Sequence, residues 1–460
     1  MNRVKVKITC GRAVLFITFL LAVSTCIGKT RPQFLAHYMP WYQTPEISGY
    51  WGWHWTMNHF NPEKRDPNGR REIASHYYPL TGPYDSQDMD ILEYQCLLMK
   101  ISGIDGVIVD WYGMEPFWDY GVLNESTHAL FDAARRFKLS FAVCYEDQSI
   151  KHMVENGRLS ASEALAHGKQ VMWYLQNQWF GDDAYLKLDG RPVLLVFGPQ
   201  YFTESSQWTA MFADLPTAPL FFTEDNRLGP AAVGAYPWPP MWKSNAQGIL
   251  TQEALDEYLN LFYAKAKAWP YLVAGAFAGF RDIYKQAGVG AGYGVLDHRN
   301  GEVFRSTLQK AMDNHADVIQ LVTWNDYGEG TMIEPTVEFG YRFLEIVQEA
   351  RRTIDPEFRF QKTHLPMPLR ILELRKSYAT NWDVQAELNR VVDYLVEGKA
   401  DEAVRLLNKL PAKVGNTTLP KSFSLRAVPN PVNGTATLAL VMSRGENVRI
   451  EVFDLKGRSR

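Results

Sequence analysis

The sequence predicts an α/β fold: a (β/α)8 TIM barrel, followed by a helical hairpin and a small partial β-module. Three observations carry that prediction. Eight short apolar runs alternate with amphipathic helical patterns between Phe34 and Ile354, the pattern of a parallel sheet covered on both faces. Eight such units in that span suit a closed barrel better than an open doubly wound sheet. An open nucleotide-binding sheet would also place a phosphate-cradling glycine loop after its first strand, and "HYMPWY" stands there instead.

The elements follow in order. "FLAHYMPW" is the first strand, and "DMDILEYQCLLMKISG" then sets apolar residues at helical spacing before a terminal Gly103. "GVIVDWYG" and "STHALFDAARRFK" are the second strand and helix, and "LSFAVCYED" the third strand before the helix "ASEALAHGKQVMWYLQNQWF". "RPVLLVFGP" is the fourth strand, with a short helix from about Ser206, and "PLFFTEDN" and "AAVGAYPW" are the fifth and sixth. The helix "QEALDEYLNLFYAKAKAW", the strand "YLVAGAFAGF" and the helix "VFRSTLQKAMDNH" come next. "DVIQLVTW" closes the series before the helix "VEFGYRFLEIVQEARRTI", so the barrel occupies residues 31–354. The glycines of "GVGAGYG" lack the Lys-Ser/Thr ending of a phosphate loop and read as an ordinary loop.

Residues 355–411 divide into a proline-marked linker, "DPEFRFQKTHLPMPLR", and a helical hairpin turning near Gly398. Residues 420–460 alternate in strand fashion around turns such as "NG". At the other end, residues 1–28 read as an export signal, with Arg3, Lys5, Lys7 and Arg12 before an apolar run from Ala13 to Val23 and small residues after it. That run is too short for a stable membrane anchor. Cleavage after Ser24 fits, and "VSTC" leaves lipid attachment at Cys26 as an alternative; the destination is periplasmic, cell-surface or secreted. Outside this segment only Cys96 and Cys144 remain, too few for a disulfide framework. Both lie in apolar patterns and are expected to be buried.

The formal net charge of −3 gives no reason for nucleic acid or an anionic membrane as a partner. The aromatic content of 13% is high, and Trp41, Trp51, Trp53 and Trp55 crowd an irregular segment that suits sugar rings better than a core element. Barrel chemistry sits at the C-terminal ends of the strands. Those ends supply His37, Tyr38 and Trp41; Asp110, Trp111 and Tyr112; Glu146 and Asp147; Glu224 and Asp225; Trp238; and Arg281 with Asp282. Asp225 and Asp282 are also plausible helix N-caps. The eighth strand ends in "WNDYGEGTMIEP", which holds Trp324, Asn325, Asp326 and Glu329. In an extended strand Asp326 and Glu329 would face opposite sides. Gly328 and Gly330 allow a tight turn that aims both carboxyl groups into one cavity. Paired carboxyl groups are what glycosidic cleavage needs, one as acid and one as base or nucleophile.

"WNDYGEGTMIEP" resembles the signature of glycoside hydrolase family 99, the endo-α-mannosidases and endo-α-mannanases, which runs Trp/Phe-Asn-Glu-x-x-Glu-Gly-Thr. It also resembles family 71, the α-1,3-glucanases, which carry Trp-Asn-Asp-Tyr-Gly-Glu. "HYMPWY", "VDWYG" and "VCYED" extend the likeness over the barrel. The resemblance implies a retaining, metal-independent enzyme in which Asp326 acts as base toward the sugar 2-hydroxyl and Glu329 as acid and then base. Asp326 is one methylene shorter than the Glu of family 99, so direct nucleophilic attack stays open. The C-terminal "PNP" and "VRIEVFDLKGR" resemble the start of a type IX secretion sorting domain, which is expected to be partial.

The resulting expectation is an exported, retaining hydrolase of α-glycosidic bonds, endo-acting on α-mannan or α-mannoside glycans, with Asp326 and Glu329 catalytic. Tyr38, Trp41, Trp53, Asp110, Trp111, Tyr112, Glu146, Trp238, Trp324 and Asn325 are expected to contact substrate. The alternatives are an α-1,3-glucanase-like hydrolase and a glycan-binding barrel without catalysis. The partners are an oligo- or polysaccharide and, through the C-terminal domain, secretion machinery. No cofactor is expected, and no metal: the ten His are scattered, without His-Glu-x-x-His spacing.

Overall fold

Each of the eight apolar runs forms a strand, and their burial explains why they are apolar throughout. The strands are β1 (Gln33–Tyr38), β2 (Gly106–Trp111), β3 (Ser140–Tyr145), β4 (Arg191–Val196), β5 (Leu220–Glu224), β6 (Gly234–Tyr236), β7 (Val273–Phe277) and β8 (Val318–Val322). The structure, a computed structural model, describes residues 31–411 and two further strands, Ser424–Val428 and Thr437–Val441, which pair antiparallel. The export signal of 1–28 lies outside the described residues, as does the sorting domain of 420–460 apart from that strand pair.

All neighbouring barrel strands that share a ladder are parallel, in the order β6-β5-β4-β3-β2-β1-β8-β7. β1 pairs with both β2 and β8, which wraps the sheet round on itself. β6 and β7 lie side by side at the one seam without a ladder. Successive side chains point to opposite faces of a strand. His37, Asp110 and Cys144 therefore meet inside the barrel, where His37 also reaches Gln320 of β8. Trp111 and Tyr38 turn outward to the surrounding helices.

Those helices are α1 (Met89–Ser102), α2 (Tyr120–Arg136), α3 (Ala164–Leu175), α4 (Ser205–Phe212), α5 (Gln252–Ala266), α6 (Glu302–Asp313) and α7 (Arg342–Ile354). Asp88 caps α1 by accepting the Asp90 N–H at 3.0 Å. Gly103 ends α1 at φ 83°, and a Cβ there would lie 2.7 Å from Arg351 Cγ, so glycine is required on two counts. α2 begins at Tyr120, before the Ser126 start read from the sequence, because Tyr120 and Leu123 continue its buried face with Thr127 and Leu130.

The end of the proline-marked linker is helical. α8 (Met367–Ser377) begins there, with Pro368 in the first turn, where its missing N–H has no intrahelical partner to lose. α9 (Trp382–Val396) and α10 (Ala400–Leu407) follow, and the chain turns between them at Gly398, φ 76°. α8 is fastened to α1 by Arg375, whose guanidinium donates to both oxygens of the buried Glu93 carboxylate and to Gln385 and Asn389 of α9, each at 2.9 Å. Arg375→Ala is expected to destabilise the protein by about 3 kcal/mol, since it leaves a buried carboxylate without its main partner. Denaturant unfolding measures this; a loss below about 1 kcal/mol would mean that Arg136, 3.2 Å from Glu93, suffices alone.

Candidate active site

Beyond β8 the chain folds back on itself. Thr323 N–H donates to Thr331 O at 2.8 Å and Ile333 N–H to Thr323 O at 2.9 Å, while the Thr323 hydroxyl accepts the Asp326 N–H at 2.9 Å. Gly330, at φ 65°, is pressed so close to Arg281 O that a Cβ would lie 2.7 Å away. Asn325 clamps this loop to the end of β1: its Oδ1 accepts the Met39 N–H at 2.8 Å, and its Nδ2 donates to Met39 O at 3.0 Å and to the Tyr84 hydroxyl at 3.1 Å. Tyr42 completes the clamp by donating to Asn325 O at 2.8 Å and accepting from Tyr327 N–H at 3.1 Å.

The loop so held carries Asp326 and Glu329. The Glu329 N–H donates to Asp326 Oδ1 at 2.9 Å, and Glu329 Oε1 accepts from the Tyr284 hydroxyl at 3.3 Å. Asp326 is buried and Glu329 half-buried. Burial, and next the Asp326 charge, push the Glu329 carboxyl well above the usual carboxylate range. Burial also raises Asp326, to about 7, against the pull of the Glu329 and Gly328 N–H groups. Asp110 at the end of β2 is raised to about 8 by burial and then by Asp326, with Glu146 and Tyr112 pulling the other way. Glu146, just after β3, is raised well up by burial and by Asp110, and accepts from Gln148 at 2.8 Å. Four carboxyl groups thus feel one another at the C-terminal mouth of the barrel, the arrangement in which functional acids are found.

Other strand-end acids serve the fold. Asp147 accepts the N–H groups of Gln200, Tyr201 and Phe202 at 2.7, 2.9 and 2.8 Å and anchors the loop after β4. Glu334, the third acid of the β8 loop, is buried and accepts from Tyr84, Gln95 and Tyr327 at 2.8, 2.7 and 2.7 Å. Burial raises its carboxyl to about 7.

Of the residues expected to contact substrate, four are corrected. Tyr38 has no exposed surface and donates to Gln95 of α1 at 2.7 Å. Trp111 is equally enclosed, stacked on Tyr174 with its Nε1 donating to Asn124 at 2.9 Å. Each sits one position along from an inward residue, so the strand's alternation directs it outward. Trp324 is fully buried in the core, and Asn325 is the clamp described above. Tyr112 remains, half-buried beside Asp110. Trp41 and Trp238 keep a small exposed edge; Trp41 stacks on His54 at 4.0 Å, and Trp238 meets His37 edge-on at 4.9 Å. Trp53 is 39% exposed. Sequence reading passed over Tyr284, whose position two residues after Asp282, beyond β7, was the available signal. It also passed over the buried group of His37, Asp110 and Cys144, whose ligand-type atoms lie within 4.8 Å of one another.

The profile of Glycosyl hydrolase family 99 matches residues 31–220; this span contains Asp110 and Glu146 and ends before the β8 loop. The chain is 24% identical over 379 residues to a glycoprotein endo-alpha-1,2-mannosidase-like protein of Danio rerio, covering 76% of this chain and 78% of that one. It is 22% identical to a glycoprotein endo-alpha-1,2-mannosidase of Mus musculus, covering 66% and 67%. Among solved structures, the GH99 endo-alpha-mannosidase from Bacteroides thetaiotaomicron superposes with a TM-score of 0.52 at 18% identity, over 70% of this chain and 98% of that chain. That likeness gives the fold, a (β/α)8 barrel. The match over residues 31–220 and these relatives make the chain a glycoside hydrolase, similar in that span to family 99.

Proposed function

We propose that this enzyme cleaves α-mannosidic bonds within glycan chains and retains the anomeric configuration. The observation that supports this most is the Asp326–Glu329 pair, whose unequal surroundings suit unequal roles. Glu329 holds its proton more firmly, so it is the acid. Asp326 faces two backbone N–H donors that favour its ionised form, so it is the base. Asp326 takes the proton of the sugar 2-hydroxyl as that oxygen attacks C1. The C1–leaving-oxygen bond breaks, and the departing oxygen receives the Glu329 proton. The Glu329 carboxylate then takes a proton from water, whose oxygen attacks C1 and opens the anhydro-sugar; O2 recovers its proton from Asp326. Two inversions give retention. Asp110 and Glu146 bind hydroxyl groups, and Trp41, Trp53, Tyr112 and Trp238 border the path of the chain. Mannose as the sugar rests on the names of the relatives.

Purified protein incubated with α-mannan, host-type N-glycans and α-1,3-glucan tests this by product size and anomer. The expected outcome is oligosaccharide released from a mannose substrate with retained configuration. Monosaccharide alone would overturn endo action, and an inverted product would overturn retention. Cleavage of the glucan alone would favour the glucanase reading, and binding without turnover the silent barrel. A covalent adduct on Asp326 from a 2-fluoro mannoside would replace the base role by direct attack. We also propose that the enzyme works outside the cytoplasm, given residues 1–28; the mass of the mature N-terminus in an exporting host checks this.

A further inference from the structure

The inner wall of the barrel carries buried polar atoms that the protein's own hydrogen bonds leave unmatched. β1, β2 and β3 are adjacent, and Asp110 is the register partner of Cys144. His37 Nε2 and Asp110 Oδ1 are buried and meet no protein hydrogen-bond partner, an arrangement that is costly unless something else completes it. The Cys144 thiol lies 3.5 Å from the Tyr236 hydroxyl. His37 Nδ1 lies 3.2 Å from Gln320 Oε1. An amide oxygen only accepts, so Nδ1 carries the proton and the Nε2 lone pair faces the cluster. Burial keeps the ring neutral, with its pKa lowered to about 4.

We propose that His37 Nε2, Asp110 Oδ1 and Cys144 Sγ form an inhibitory site for a borderline-soft divalent cation of the zinc kind. One imidazole, one carboxylate and one thiolate are a zinc donor set, and an amide partner on the far imidazole nitrogen is the outer-shell support such ligands have. The three atoms lie within 4.8 Å of one another. Around a tetrahedral zinc, ligand atoms are roughly 3.3–3.8 Å apart, so side-chain shifts of about 1 Å close the site. On binding, the Cys144 thiol and any protonated Asp110 give their protons to solvent. Inhibition follows from position: the ion takes Asp110 away from substrate, and with it the hydroxyl contact assigned to that carboxylate.

Equilibrium dialysis of the full chain against zinc, with Cys144→Ala and Cys144→Ser in parallel, tests the site without reference to activity. The expected result is one zinc per chain in the parent protein. Affinity in both variants should be weaker by more than about 100-fold, beyond what loss of an outer-shell partner causes. Cobalt should give a sulfur-to-metal charge-transfer band in the parent and none in the variants. Zinc should inhibit parent turnover and spare that of the variants, whose zinc-free turnover is unchanged. Absence of stoichiometric zinc, binding indifferent to both substitutions, or a cobalt spectrum without the thiolate band would overturn the site, whichever glycan the enzyme cleaves.

Discussion

Glu329→Gln is expected to lower kcat by about 10² to 10⁴-fold and to leave KM within a few-fold of the parent. The amide has the same shape and can still accept from the Tyr284 hydroxyl that reaches Glu329 Oε1, so the loop should keep its place. What disappears is the transferable proton. Its absence affects the transition state and leaves ground-state binding alone, and such a change reduces kcat and kcat/KM together. Thermal unfolding should shift little, because the substitution also removes the strain of holding a carboxyl between Asp326 and a buried wall. A substrate with an activated leaving group, which needs no proton, should recover most of its first-step rate. If the variant loses activity equally on activated and ordinary substrates, Glu329 is not the acid. If it turns over at the parent rate, the donor lies elsewhere among the mouth carboxyls, with Glu146 the next to test.

The barrel was legible because every strand is buried on both faces and so reads as a continuous apolar run, as in "GVIVD" and "DVIQLV". α8 was hidden by Pro366 and Pro368, which read as breakers although a proline in the first helical turn breaks nothing. At the site, Gly328 and Gly330 announced the turn that brings Asp326 and Glu329 together. Choosing neighbours was harder. Tyr38 follows His37 and Trp111 follows Asp110, and a one-residue step on a strand is the difference between the cavity and the helix layer. Glu334 and Glu329 look alike in sequence, yet Tyr84 and Gln95, far along the chain, make Glu334 a brace. Tyr284 lies 45 residues from Glu329, a pairing that only the closed barrel creates.

Asp326→Asn is expected to lower kcat by about 10³-fold and to change the pH profile as well. Asp326 works as the carboxylate, and burial raises its pKa to about 7. Activity of the parent should therefore rise as pH passes through about 7 and fall at higher pH, where Glu329, held well up by burial and by Asp326, loses its proton. Asparagine removes the rising limb. It also removes the negative charge that helps hold up Glu329, so the falling limb of the residual activity should move to lower pH. Stability supplies a second reading with its own sign. A carboxyl raised on folding contributes stability that is fully present below its unfolded value of about 3.9 and is lost as pH rises through its folded one. Above pH about 7 the parent must fold around a buried charge and the variant need not, while Asn Oδ1 can still accept the Glu329 N–H. The variant should thus melt higher than the parent at pH about 8, with the difference closing toward pH about 4. A variant that melts lower at alkaline pH would show that the Asp326 carboxylate stabilises the loop, and the poised base would have to be sought at Asp110 or Glu146.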